Sequence, residues 1–113
     1  DPTEGGLSAG LHEMAEASSV ALELDGDAIL WFEPGTTLCA ALGADPWGAL
    51  SSGALLAAFP VTRAEAACKT LTEEGFATAI VARAGAGSGV RFGNGHELPR
   101  YERDEVLRIL EKL

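Results

Sequence analysis

DPTEGGLSAGLHEMAEAS, residues 1–18, is the stretch whose reading decides the fold. From Leu7 onward its pattern has a helical period. Leu7, Leu11, Met14, Ala15 and Ser18 fall at i, i+4, i+7, i+8 and i+11 and line one face, which leaves His12, Glu13 and Glu16 on a face expected to be solvated. Thr3 is placed to cap this helix, and Asp1 and Glu4 suit its positive end. Gly5 and Gly6 then fall in the first turn, where each costs about 1 kcal/mol relative to alanine. Two readings account for a glycine pair there. It either bares backbone N–H groups so that they meet an anion, or it only makes room for a tight approach of another segment. The spacing leaves both open.

Working outward, residues 20–24 alternate Val20, Leu22 and Leu24 against Ala21 and Glu23, the period of a half-buried strand, and Asp25-Gly26-Asp27 is a turn. Residues 28–33 read as a short strand or an apolar loop. A helix is predicted from Pro34-Gly35 through Leu42, stopped by Gly43, followed by a single turn through Leu50 with Asp45 as cap and Pro46 at its first position. The uninterrupted apolar run 54–59, ended by Pro60, is predicted to be a central strand covered on both faces. Thr62 and Glu65 match a capping box for a helix whose inner stripe is Ala64, Ala67, Cys68 and Leu71, with Gly75 as its stop. Residues 76–83 and 90–92 read as strands joined by a flexible glycine-rich hairpin, with Asn94-Gly95 as the next turn. A last helix, 103–113, is expected to bury Val106, Leu107, Leu110 and Leu113, with Asp104 and Glu105 at its start. The order implies an α+β fold in which helices pack on a mixed or antiparallel sheet, as in a ferredoxin-like variant.

Composition narrows the function. The 113 residues suit one domain, residues 1–113, with a core of its own, and at 47% hydrophobic the chain is not a disordered one. Eight basic against 17 acidic residues give a net charge of −9, which argues against a nucleic-acid or anionic-membrane partner. Two cysteines in unrelated segments make no disulfide framework, and the default compartment is a reducing cytoplasm. The glycines between 85 and 95 precede no helix and no Lys-Ser/Thr, so they form neither a Walker A loop nor a dinucleotide fingerprint. Cys39, Cys68, His12 and His96 have no compact ligand spacing, and no metal site is expected. Cys68 reads as a small hydrophobe and Trp31 and Trp47 as packing residues. His12 and Glu16 lie one turn apart, a spacing open to acid–base work but commoner on a solvated face. Arg100 is read either as a phosphate ligand or as a surface ion pair.

The opening Asp1-Pro2-Thr3-Glu4-Gly5-Gly6-Leu7 and the helix carrying His12-Glu13-Met14-Ala15-Glu16 resemble the segment that begins the C-terminal domain of AIR synthase-related proteins, and most of all the hydrogenase expression/formation branch. The segments around Val20–Leu24, Leu38–Pro46, Ser52–Pro60 and Glu97–Arg100 look similar to that branch as well. The resemblance implies the same α+β fold and an ATP-dependent enzyme of ligase, kinase or dehydratase type. Its ATP and Mg2+ would be held mainly by acidic residues of an N-terminal domain outside these residues, with none bound by this part alone. It also implies a homodimer, that N-terminal domain as partner, and contact with other maturation proteins. Carried over, the residues expected at phosphate or substrate are Asp1, Thr3, Gly5 and Gly6, with Ser52 and Gly53 added more weakly; no catalytic residue is assigned. The chain starts inside a motif and is expected to be part of a longer protein. One departure matters. The branch ends in a Pro-Arg-Ile-Cys tail, whereas here Pro99-Arg100-Tyr101-Glu102 runs into a helix without cysteine, so the thiocarbamate-to-nitrile reaction is not carried over. The alternative is a non-catalytic ferredoxin-like module for ligand binding or dimerisation.

Overall fold

The first helix, α1 (Gly6–Ser18), lies on a three-stranded mixed sheet whose middle strand, β1 (Ala21–Leu24), follows it directly in the chain. The computed structural model describes residues 2–113. Ser19, in the left-handed region at φ 54°, ends α1 by donating to the carbonyls of Ala15 and Glu16, and so turns the chain into β1. A 3-10 turn (Gly26–Ala28), α2 (Gly35–Leu42), a second 3-10 turn (Pro46–Gly48) and α3 (Val61–Glu73) come next. β2 (Ala82–Gly85), β3 (Gly89–Phe92) and α4 (Glu105–Leu110) complete the order among the described residues. The architecture is α+β with helices on a mixed sheet, as the order of elements predicts.

The sheet order is β2-β1-β3, with β1 antiparallel to β2 and parallel to β3. Residues 86–88 therefore carry the chain over the end of β1, and the expected glycine-rich hairpin does not form. Both Gly85 and Gly89 stand opposite Ala21, which fits a crossover at that end. Gly87, at φ +117°, makes the crossing in a conformation that side chains rarely adopt. The turn at Asn94-Gly95 does form: Phe92 and His96 pair across it and Arg91 bridges Glu97.

Alternation along β1 sends Leu22 and Leu24 inward and Ala21 and Glu23 outward. The core gathers Leu22 and Leu24 with Leu11 and Ala15 of α1, Val90 of β3 and Leu98, and Trp47, Leu56 and Phe92 pack at its edge. The apolar face of α1 is the expected one at Leu11 and Ala15, with Leu7 and Met14 half-buried and Ser18 exposed.

Four expectations are corrected. Residues 54–59 form no regular element and join no strand ladder among the described residues; Leu55 is 80% exposed and only Leu56 reaches the core. Apolar composition marked them as interior, yet all of them but Leu56 are exposed. Residues 76–81 are likewise outside the sheet, which starts at Ala82. α3 begins at Val61 with Pro60 as its N-cap and no side-chain cap bond, so the Thr62–Glu65 capping box is not made, because Thr62 lies inside the helix. Its inner stripe is only half-buried at Ala64, Ala67 and Cys68, and Leu71 is exposed. α4 is shorter than expected and reversed: it buries Asp104 and Glu105, while Val106, Leu107, Leu110 and Leu113 face outward. Residues 29–33 form a loop.

Leu11 is 2% exposed at the centre of the core, whereas Leu38 on α2 is 60% exposed. Leu11→Ala is expected to destabilise the domain by about 2–5 kcal/mol, and Leu38→Ala by less than about 0.5 kcal/mol. Urea denaturation of the two variants against the parent checks this.

Candidate functional site

The residues singled out at the start of the chain do meet. The Thr3 carbonyl accepts the Gly6 N–H at 3.0 Å and the Ser51 N–H at 3.3 Å, which joins the loop before α1 to the turn that carries Ser52 and Gly53. The side chains of Thr3 and Ser52 are exposed on this shared surface. Asp1 lies outside the described residues. Pro2 is buried against α1, where a Cβ on Gly10 would stand 2.9 Å from the proline Cβ. Thr3 does not cap α1. Gly5 is the N-cap, at φ 84°, with no side-chain bond of its own.

The glycine pair is shaped by packing and by an internal carboxylate. A Cβ on Gly6 would lie 2.8 Å from the Trp47 carbonyl oxygen and closer still to that of Ala49, so the Pro46–Gly48 turn sits directly on the helix start. Gly5 and Gly6 (φ 68°) also occupy the left-handed region. The Gly5 N–H donates to Asp104 Oδ2 at 2.7 Å, and Asp104 Oδ1 accepts from Val106 N at 2.8 Å. One buried carboxylate thus caps two helix starts. Its burial at 4% exposure is offset by two charge-assisted bonds and by the positive ends of both helices.

The segment leading to Asp104 is gripped by one row of α1. Ser8 Oγ donates to the Pro99 carbonyl at 2.5 Å, His12 Nε2 bonds the Leu98 carbonyl at 2.9 Å, and Glu16 pairs with Arg100 at 2.6 Å. These positions are spaced i, i+4 and i+8. His12 is therefore buried rather than solvated, because the chain near its C-terminus returns over it, and its Nδ1 has no hydrogen-bond partner. Since Nε2 faces a carbonyl, it carries the proton. Of the two readings of Arg100, the structure takes the ion pair, with both side chains largely exposed.

A second clamp holds the Pro46–Gly48 turn. Asp45 caps Trp47 N at 3.0 Å and accepts the Tyr101 hydroxyl, and its own N–H donates to Glu105 Oε1 at 2.9 Å. Arg108 grips Glu105 through Nε at 2.5 Å and Nη2 at 3.0 Å, and Nη2 also reaches the Gly43 carbonyl at 2.7 Å. The Tyr101 ring lies flat on Gly48, where a Cβ would stand 2.6 Å from the ring. Burial, followed by the bond to Asp45, pushes the Tyr101 hydroxyl well above its ordinary value. The Arg108 bond, helped by the Asp45 N–H, holds Glu105 below the usual carboxylate range against the opposing effect of burial. Cys39 and Cys68 are free and half-buried. Among the described residues, no three His, Cys, Asp or Glu side chains are grouped as a metal site.

Sequence reasoning missed Ser8, His12, Asp104 and Tyr101 as the residues that shape this surface. Asp104 at a helix start carries a local capping signal. Its second bond, to Gly5, spans 99 residues and carries none.

A helix whose glycine start rests against a returning segment, on a small mixed sheet, defines an α+β domain of the AIR synthase-related class. The family model described as "AIR synthase related protein, C-terminal domain" matches residues 1–93, and the chain belongs to that family. Its relatives place it in the hydrogenase-maturation branch. It is 43% identical over 65 residues to a protein named carbamoyl dehydratase HypE from Azotobacter vinelandii, covering 58% of this chain and 19% of that protein. It is 38% identical over 73 residues to the hydrogenase expression/formation protein HupE of Azotobacter chroococcum mcd 1, covering 65% of this chain and 21% of that protein. The crystal structure of E. coli HypE, a hydrogenase maturation protein, superposes with a TM-score of 0.81 at 26% identity, over 96% of this chain and 36% of that one. The chain thus spans about a fifth of the curated relatives and about a third of the solved structure. No helix among the described residues is long and apolar enough to cross a membrane.

Two outcomes follow from the geometry. Gly6→Ala is expected to destabilise the domain by about 2 kcal/mol or more, because the methyl meets fixed backbone carbonyls and φ is positive; thermal unfolding measures it. A carboxyl held below its ordinary range contributes stability above its unfolded pKa and loses it as pH falls through the folded one. Glu105→Gln should therefore lose stability at neutral pH, and its deficit should shrink below about pH 4, as read by denaturation across pH.

Proposed function

We propose that this domain closes the cleft of an ATP-using enzyme of hydrogenase-maturation type, with the surface formed by Thr3, Gly5, Gly6, Ser52 and Gly53 turned toward phosphate or substrate. The observation that supports this most is the Thr3 carbonyl shared by Gly6 and Ser51. It brings the two expected binding segments onto one surface beside the positive end of α1, where an anion is favoured. The roles divide. Thr3 and Ser52 are exposed and offer hydroxyls. Gly5 and Gly6 have their N–H groups engaged by Asp104 and by Thr3, and act by letting the Pro46–Gly48 turn and Asp104 come close.

ATP and Mg2+ belong in this reading to an N-terminal domain, which is also the partner on the cleft side. When bound, ATP supplies the phosphoryl group that activates the substrate, and the residues here bind, orient and exclude water. The work is proposed to take place in the cytoplasm, in a homodimeric enzyme in contact with other maturation proteins. Tyr101 and Glu102 follow Pro99-Arg100 and lead into a docked helix, in place of the Ile-Cys that follows in the branch.

A second reading, a non-catalytic module for dimerisation, is favoured by the exposure of Leu55, Phe59, Val61 and Phe76. Turnover separates the two. In the enzyme carrying this domain, Thr3→Ala and Ser52→Ala are expected to raise the KM for ATP or substrate about tenfold each, the loss of one hydrogen bond to a charged group, with the melting temperature unchanged. Normal KM values in both variants would overturn the surface. Absence of ATP turnover, with reversible self-association, would favour the module.

A further inference from the structure

Away from the α1 surface, the outer ends of β1 and β3 and the loops beside them enclose an open groove of about 700 Å3. Its floor is aromatic. Trp47 meets Trp31 edge-on at 5.0 Å between ring centroids and an interplanar angle of 86°, and it meets Phe92 at 5.5 Å and 83°. Edge-to-face contact satisfies the rings among themselves, yet all three remain only half-buried. Gly26 lets the Asp25–Asp27 turn rest on the floor: a Cβ there would stand 3.2 Å from the Phe92 ring.

The rim is acidic. Glu23, Asp25 and Asp27 line the groove and are exposed; Glu23 stands between Arg83 and Arg91 on the neighbouring strands, and no Lys or Arg lines the groove itself. Asp25 uses Oδ1 to accept from Asp27 N at 3.1 Å, which holds the turn. Aromatic faces and carboxylates both attract positive charge, and the combination selects a cation that is flat and partly desolvated. A metal ion is a poor match, since the described residues group no three ligating side chains. A compact ammonium matches less well than a guanidinium, which stacks on an indole and meets a carboxylate with two parallel N–H bonds. The groove is also larger than one side chain needs, leaving room for the residues that flank it. The net charge of −9 favours approach of a basic partner.

We propose that this groove receives an arginine side chain presented by a partner protein, stacked on Trp31 or Trp47 and paired with the Asp25–Asp27 rim. This does not depend on the Thr3 surface.

The test is 15N NMR titration of the intact protein with a short capped Gly/Ser peptide carrying one arginine, read at the indole N–H signals of Trp31 and Trp47. Saturable shifts at both indoles are expected, with the citrulline counterpart binding at least about tenfold more weakly. Trp31→Ala and the double variant Asp25→Asn/Asp27→Asn should each weaken binding about fivefold. The asparagines keep the turn's capping oxygen, so the double variant tests charge without unfolding the rim. Equal binding of the citrulline or lysine peptide, no shift at either indole, or full affinity in both variants would overturn the proposal.

Discussion

The segment 97–104 lies along α1, and the rest of the domain depends on that contact. Ser8, His12 and Glu16 hold Pro99, Leu98 and Arg100 respectively, and Asp104 then closes on the Gly5 N–H. Leu98, delivered by these bonds, completes the core with Leu11, Leu22 and Val90. The order of events is physical. Polar atoms on one row of a helix specify where an extended chain sits, and the apolar side chain between them supplies most of the free energy. Remove the row and the core loses a wall.

The same contact determines what the glycine start of α1 can do. A helix start with bare N–H groups attracts an anion, and here one anion is already supplied from within the chain. Asp104 serves two helices at once, while the carbonyls of Trp47 and Ala49 lie over Gly6. Both readings of the glycine pair meet in this arrangement. Close packing accounts for Gly6. Beside it, the hydroxyl-bearing residues Thr3 and Ser52 stay exposed.

The outward apolar residues follow a consistent pattern. The run at 54–59, the segment 76–81 and the stripe of α4 are uncharged or amphipathic, and, Leu56 apart, they lie outside the small core. In relatives about three times as long, such faces have more chain to lie against. This is why composition made residues 54–59 look like a central strand. The apolar run is real, but among the described residues only its Leu56 packs against the core.

By itself the sequence determined the elements whose causes are local. The helical period from Leu7, the alternation in β1, the turns at Asp25, Asp45-Pro46 and Asn94-Gly95 and the stop at Gly75 rest on neighbours within a turn or two. The opening motif carried the family as well. Only the tertiary structure decided which partner each polar group takes: His12 beneath Leu98, Arg100 on Glu16, Tyr101 on Asp45, Asp104 on Gly5. It also decided that β1 lies between β2 and β3, so that the glycine-rich link is a crossover and not a hairpin. Those choices join residues many tens of positions apart. Their free energy comes from burying each donor with an acceptor, a condition that no local pattern records.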